Sequence, residues 1–381
     1  FTRRTNPTQT DTSLTPGVQV IHVKAGPPVP LAPADIYPHL QQFTAGVIAH
    51  TIRTQHQYDL IFSHYWLSGW VAHKLKEACG TPFVQMFHTL GHMKNRIPSV
   101  TVPVPDVRIR TETAIVAWAD ALIANTHAER DQLLWLYHAD RRKIAICPPG
   151  VNIQRFQSIQ RDDARRHLNI PPGQHMLTFA GRIEPLKAVD TILHALAILR
   201  NTHPELVRNI RLNIIGGDPT DPTDPDMQSL LRLRDHLHLN PQIAFFRAMP
   251  QDTLRYYYAA SDAVLMPSEY ESFGMVALEA MATGTPVIAS EVGGLAYLVQ
   301  DGQTGYLIPA RSPDLLADRI ATLITHPALR DQMSIRAAAL ATEYAWPAIT
   351  DRLQTIFAQL NRTPSRYSSS STGITPNVHE L

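Results

Sequence analysis

The sequence predicts an α/β protein made of two doubly wound domains that face each other across a cleft. Three observations predict it. Short apolar runs alternate with amphipathic stretches along most of the 381 residues. The alternation breaks at C-P-P-G-V-N, residues 147–152. One domain per ~150 residues gives two domains, each large enough for its own core. Alternation of this kind implies right-handed crossovers and parallel sheets with helices on both faces.

In the first half, strands are expected at residues 18–23, 59–63, 82–87, 119–125 and 143–147. Ile36, Leu40, Phe43, Val47 and Ile48 recur at helical spacing and predict a helix over 36–53. Further helices are expected over 66–79 and 111–119. Two prolines and a glycine then mark a linker. In the second half, strands fit at 175–180, 210–215, 243–246, 263–266 and 286–289, with a weaker candidate at 306–309. Helices fit at 186–200, 274–283, 312–324, 328–343 and 347–360. The polar text after Asn361 predicts disorder over 362–381. The expected domains are 1–148, 149–345, and a C-terminal helix at 346–361 that packs back towards the first domain.

Composition removes several classes. Charged residues are 18% and the formal net charge is +1, which argues against a nucleic-acid clamp. Two cysteines, Cys79 and Cys147, exclude a disulfide scaffold and a cysteine zinc cluster. No apolar run reaches the ~18 residues of a spanning helix. The opening F-T-R-R-T-N-P-T-Q-T-D lacks the apolar core of a secretory leader, so a cytoplasmic protein is expected. The sequence starts at Phe1 rather than Met, which reads as a cut chain.

Ligands of doubly wound sheets sit beyond the carboxyl ends of the strands, so the residues directly after strands carry the functional reading. After 175–180 comes G-R-I-E-P-L-K: Gly181 lets a ligand approach the backbone, and Arg182 and Lys187 can grip a doubly charged anion beside a helix N-terminus. The competing reading is a turn with solvated charges. After 263–266 comes P-S-E-Y-E-S-F-G-M-V-A-L-E-A, with Glu271 before a helix and Glu279 inside it. Eight residues of helix span ~12 Å, so the two carboxylates can address one extended ligand at two points. Ser272, Phe273 and Gly274 open that helix and leave amides free for phosphate or sugar oxygens. Its apolar neighbours argue that Glu279 is buried and partnered. After 82–87 comes H-T-L-G-H-M-K-N, which places His88 and Thr89 where the other domain's ligand is met. His88 and His92 invite a zinc reading, but the H-E-x-x-H pattern is absent. D-P-T-D-P-T-D-P-D at 218–226 contains D-x-D at Asp224 and Asp226; alternating prolines favour an exposed turn-rich loop over a metal site.

With these residues in hand, the chain resembles glycosyltransferase family 4, the group 1 retaining transferases of the GT-B fold. The resemblance spans most of residues 14–360. It is most specific in G-R-I-E-P-L-K, in E-S-F-G-M-V-A-L-E-A-M-A-T-G-T-P-V-I-A-S, and in G-G-L-A-Y-L-V-Q-D-G-Q-T-G-Y-L-I-P. S-H-Y-W-L-S-G and H-T-L-G-H-M-K-N look most like the inositol-phosphate N-acetylglucosaminyltransferases of mycothiol synthesis and the sucrose-phosphate synthases. The resemblance implies two Rossmann-like domains and transfer of a hexose or N-acetylhexosamine from a nucleotide sugar, with UDP expected, to a small-molecule or glycan hydroxyl. It implies no cofactor and no metal.

By the same resemblance, Arg182 and Lys187 hold the donor diphosphate beside Gly181. Glu279 binds the ribose. Glu271, with Ser272 and the amides of Phe273, Gly274, Met275 and Val276, binds the transferred sugar, and His88 lies at the reaction centre. The base rests near residues 246–250, Met249 among them. Tyr65, His88 and Thr89 face the acceptor, with Arg108 or Arg110 a further match. The inositol-phosphate branch is expected to carry a lysine near residues 31–35, where this chain reads L-A-P-A-D. The family's first strand and Gly-rich loop have no match before Val18, so roughly 40 preceding residues are expected to be missing, and with them part of the activity. A sugar-nucleotide epimerase, a pyridoxal-dependent phosphorylase and a non-catalytic sugar-nucleotide binder are the rival readings. Homo-oligomerisation is left open.

Overall fold

The computed structural model describes residues 1–157 and 159–362. The expectation of a disordered tail falls on 363–381, outside the described residues; Arg362 ends the last helix. The first domain contains β1 (Thr2–Arg3), β2 (Thr12–Thr15), β3 (Val18–Val20), β4 (His22–Val23), β5 (Ile61–His64), β6 (Phe83–Met86), β7 (Ala121–Ala124) and β8 (Ile144–Ile146). β5 to β8 form a four-stranded parallel sheet in chain order. The single strand expected over 18–23 is two strands instead. β3 pairs antiparallel with β2 around Pro16-Gly17, where Gly17 takes the left-handed φ of 82° that such a turn needs, and β4 pairs parallel with β1. The β1–β4 pair stands apart from the larger sheet. A cavity of about 640 Å³ lies between them, lined by Phe1, Val47, Leu75 and the edge-strand residues Ile61 and Phe62.

The second domain contains β9 (His175–Ala180), β10 (Ile210–Ile215), β11 (Ile243–Phe246), β12 (Ala263–Met266), β13 (Val287–Ser290) and β14 (Gly305–Ile308). All six pair in parallel in the order β11-β10-β9-β12-β13-β14. Chain order reverses between β9 and β12, so the loops leaving these two strands diverge and open a crevice at their carboxyl ends. Apolar residues cover both faces. Leu177, Leu212, Leu265 and Ile288 pack on one side with helices Val189–Thr202 and Pro313–Thr325. Ile215, Val264, Met266 and Val287 pack on the other with Tyr258, Leu278 and Met281. Burial on both faces explains why these strands read as nearly continuous apolar runs.

The chain crosses between the domains twice, side by side. The Val151 amide donates to the Tyr344 carbonyl at 2.8 Å, and Trp346 N–H donates to Val151 O at 3.3 Å. Helix Trp346–Arg362 then runs onto the first domain, where Ile349 packs with Val84, Met86 and Ile123, and Phe357 meets Phe62 at 5.2 Å between ring centroids. Among the described residues, no helix is long and apolar enough to cross a membrane.

Candidate active site

The two loops at the crevice are locked together before any side chain is considered. Residues 185–187 form a 3-10 turn rather than the start of the expected helix, which begins at Val189. The Leu186 carbonyl accepts from Glu269 N–H at 2.8 Å, which ties the loop after β9 to the loop after β12. Gly293 and Gly294 press against the latter. A Cβ on Gly294 would fall 2.2 Å from Phe273 Cα, and Gly294 N–H donates to Glu271 O at 2.9 Å. This contact needs bare backbone, so the G-G pair positions the Glu271–Gly274 loop.

Within this frame Lys187 Nζ meets Glu271 Oε2 at 2.5 Å, with side chains 16% and 18% exposed. Arg182 instead pairs with Glu184 at 2.5 Å and its side chain stays 75% exposed. Both cations expected to face a diphosphate therefore already have carboxylate partners, and an incoming anion must draw them away or share them. Gly181, with φ of 152°, ends β9 beside them.

Helix Met275–Ala282 starts at Met275, with Gly274 as a left-handed cap at φ 104° and no side-chain cap bond. Ser272 therefore does not cap it; its hydroxyl donates to Tyr270 OH at 3.3 Å. The first-turn amides of Met275 and Val276 have no intrahelical acceptor, which leaves donors at the helix start that an anion or hydroxyl can use. Because residues 271–274 are not helical, the ~12 Å helical rise does not measure the distance between Glu271 and Glu279. Glu279 is 7% exposed and accepts from Gln251 Nε2 at 2.9 Å and from Tyr258 OH at 3.3 Å. Burial pushes its carboxyl up from the ordinary value, and the two hydrogen bonds act against that. Phe273 packs beneath, near Tyr344, and Met249 lies against the same core as Met275 and Val276.

The first domain contributes residues from the carboxyl ends of β5 and β6. His88 Nε2 and His64 Nδ1 are 2.8 Å apart with nearly parallel rings. One donates and the other accepts, so the accepting nitrogen carries no proton, and burial, which lowers the pKa of both rings, favours their neutral forms. Desolvation by the surrounding protein, then the neighbouring His64, push the His88 pKa down to about 4. His88 and Tyr65 both adopt positive φ, 63° and 71°. Backbone strain of this kind in two non-glycine residues at adjacent strand ends is typical of binding sites. His92 does not join His88: its ring packs edge-on against Tyr137 at 5.0 Å.

Arg108 lies 6% exposed on helix Asp106–Trp118 and organises the neighbouring cluster. Its Nε donates to Glu112 at 2.7 Å, Nη1 to Tyr65 OH at 3.3 Å, and Nη2 to Thr89 Oγ1 at 3.0 Å. Arg110 is exposed and takes no part in it. The half-buried Lys94 side chain forms no hydrogen bond or ion pair among the described residues. Burial first, then Arg108, hold its pKa below the ordinary lysine value, and it also feels Arg182 and Glu184 of the second domain. The two domains thus bring their polar residues to one cleft. Sequence reasoning named Tyr65, His88 and Thr89 but gave no role to His64 or Lys94, although both stand in the quoted motifs.

Of the D-x-D pair, Asp224 serves the backbone. Asp224 caps helix Pro225–His236 by accepting from the amides of Asp226 and Met227, and Asp218 and Asp221 each bond a threonine two residues on.

Two doubly wound domains with such a cleft define the GT-B architecture. Sequence comparison agrees: the domain described as Glycosyltransferase Family 4 matches residues 2–155, and Glycosyl transferases group 1 matches 160–339. The chain belongs to this glycosyltransferase family. It is 39% identical over 348 residues to the D-inositol 3-phosphate glycosyltransferase of Actinosynnema mirum, covering 91% of this chain and 83% of that one. It is 40% identical over 373 residues to the enzyme of the same name from Streptomyces bingchenggensis, covering 97% and 82%. Sucrose-phosphate synthase from Thermosynechococcus elongatus superposes with a TM-score of 0.85 at 29% identity, over 94% of this chain and 87% of that one. The Anabaena protein HepE, in complex with UDP-glucose, shares the fold with a TM-score of 0.70 at 20% identity, over 82% of each chain.

Proposed function

We propose that this chain transfers a hexose or N-acetylhexosamine, without a metal ion and with retention at the anomeric carbon, from a UDP-sugar to a hydroxyl of a phosphorylated acceptor. The observation that carries the reading is the Arg108–Tyr65–Thr89 cluster with unpaired Lys94 beside it. Two cations and two hydroxyls converge there, facing the crevice that holds Lys187 and Glu271. A phosphate is the group such a set binds best. Lys94 supplies the cation that residues 31–35 lack. The names of the relatives make an inositol phosphate the first acceptor to try.

In this reading Glu279 binds the ribose, residues 246–250 the base, and Arg182 and Lys187 the diphosphate. The acceptor hydroxyl enters on the face from which the diphosphate leaves. The new C–O bond forms as the old one breaks, and the hydroxyl proton passes to the departing phosphate oxygen. Lys187 and Arg182 stabilise the charge that develops there. Neutral His88 orients a sugar hydroxyl and is not the proton donor. The reaction takes place in the cytoplasm.

A screen of nucleotide sugars against inositol phosphates, sugar phosphates and their unphosphorylated parents, read by mass spectrometry, tests this. The expected product forms only with a phosphorylated acceptor. Equal transfer to unphosphorylated inositol, or an inverted anomer by NMR, would overturn it.

A further inference from the structure

In the second domain, a cavity of about 320 Å³ opens along the β10–β11 edge. Its walls include Asn169 and Gln174, from the loop before β9, and Arg211, Asn213, Phe246 and Tyr257. Asn213 is 2% exposed, yet its Nδ2 has no hydrogen-bond partner among the described residues. A buried amide left unpaired is costly, so such a group in a cavity wall points to a ligand. Arg211 stands two residues before it on β10 and therefore on the same face of the sheet. It is half-buried, and its guanidinium forms no ion pair or hydrogen bond among the described residues. Phe246 and Tyr257 meet edge to face at 5.7 Å and supply an apolar aromatic wall. The volume falls in the range of small-molecule sites, ~300–1,000 Å³, at its lower end.

We propose that this cavity is a second binding site, for a compact planar anion, distinct from the donor crevice and joined to it through helix Gln251–Ala260. The anionic group meets Arg211 and Asn213, and the ring lies against Tyr257; Phe246, the last residue of β11, only borders the site, because residues 246–250 are assigned to the donor base. Tyr257 precedes Tyr258, and the same helix carries Gln251; both of these hold Glu279. Occupancy of the cavity therefore bears on the helix that sets the proposed ribose carboxylate.

The test is calorimetric titration of the whole chain with 4-hydroxybenzoate and with phenyl phosphate, which separate a carboxylate from a phosphate ligand, and with phenol as the neutral control. At least one anion is expected to bind at a single site, ≥10-fold more tightly than phenol. Arg211→Gln and Tyr257→Leu, each checked for native melting, should each weaken it ≥10-fold. UDP should bind alongside the probe, each changing the other's Kd by one common factor. Absence of saturable binding, equal binding by either variant, equal binding of phenol, or displacement by UDP would each overturn the proposal. A chain that binds no UDP fails the donor-site reading, while the anion titrations still decide this one.

Discussion

Lys187→Ala separates what this residue does for the fold from what it does for transfer. The Lys187–Glu271 pair is short, 2.5 Å, and less than a fifth exposed on either side. It sits between an exposed pair, worth ~0–1 kcal/mol, and a fully buried one, whose breakage costs ~3–5 kcal/mol. Removing the lysine should therefore destabilise the chain by about 1–2 kcal/mol, mostly by leaving Glu271 without its counter-ion. Losing the leaving-group contact should add ~2–4 kcal/mol to the barrier, or about 30- to 800-fold in kcat. The double variant Lys187→Met/Glu271→Gln removes both charges and should regain most of the stability while turnover stays low. Urea unfolding and kcat at saturating donor on the single and double variants provide both readouts. Near-normal kcat in Lys187→Ala, or recovery of turnover together with stability in the double variant, would refute the reasoning.

Arg182→Ala should lower kcat to a similar degree but move stability by less than ~0.5 kcal/mol, because its side chain is 75% exposed. Asp224→Ala should cost ~1 kcal/mol of stability through the lost helix cap and leave turnover unchanged with or without EDTA; activity that needs added Mg²⁺ or Mn²⁺ would mean the cationic site is not the charge-neutralising device. Glu279→Gln should weaken UDP binding ~10- to 150-fold by calorimetry, whereas Glu271→Gln should leave UDP binding nearly intact and damage sugar transfer; equal losses would mean the donor lies differently. The His88 ring resonance should titrate near about 4 rather than at the ordinary 6.5. Because the folded value is lowered, the stability His88 contributes is present above about 6.5 and lost as pH falls towards and through about 4. Glu129, held up at about 7 by burial, has the opposite pH dependence, so the ring resonance and not global melting is the measure.

Legibility in the sequence tracks how simple the burial is. β9, β10, β11 and β12 were readable to the residue because both faces are apolar and the strands are bounded by turns. β3 and β4 were merged, although Pro16-Gly17 marks a hairpin, because Ile21 continues the apolar run through a change of partner strand. The most instructive miss is the helix Asp106–Trp118, expected to start only at residue 111. Arg108 and Glu112 lie on its buried face, 6% and 0% exposed, and break the apolar periodicity that reveals a helix. The same two residues anchor the proposed phosphate cluster: Glu112 fixes Arg108 and accepts from Gly91 N–H at 2.9 Å, and Arg108 turns to Tyr65 and Thr89. The charge that obscured the helix is thus the charge the proposed phosphate site uses. Single-residue candidates could be found from the residues directly after each strand. Their pairings could not, because Lys187 finds Glu271 across 84 residues and Lys94 feels Arg182 across the cleft. Those contacts belong to the arrangement of the loops, and only the folded chain brings them together.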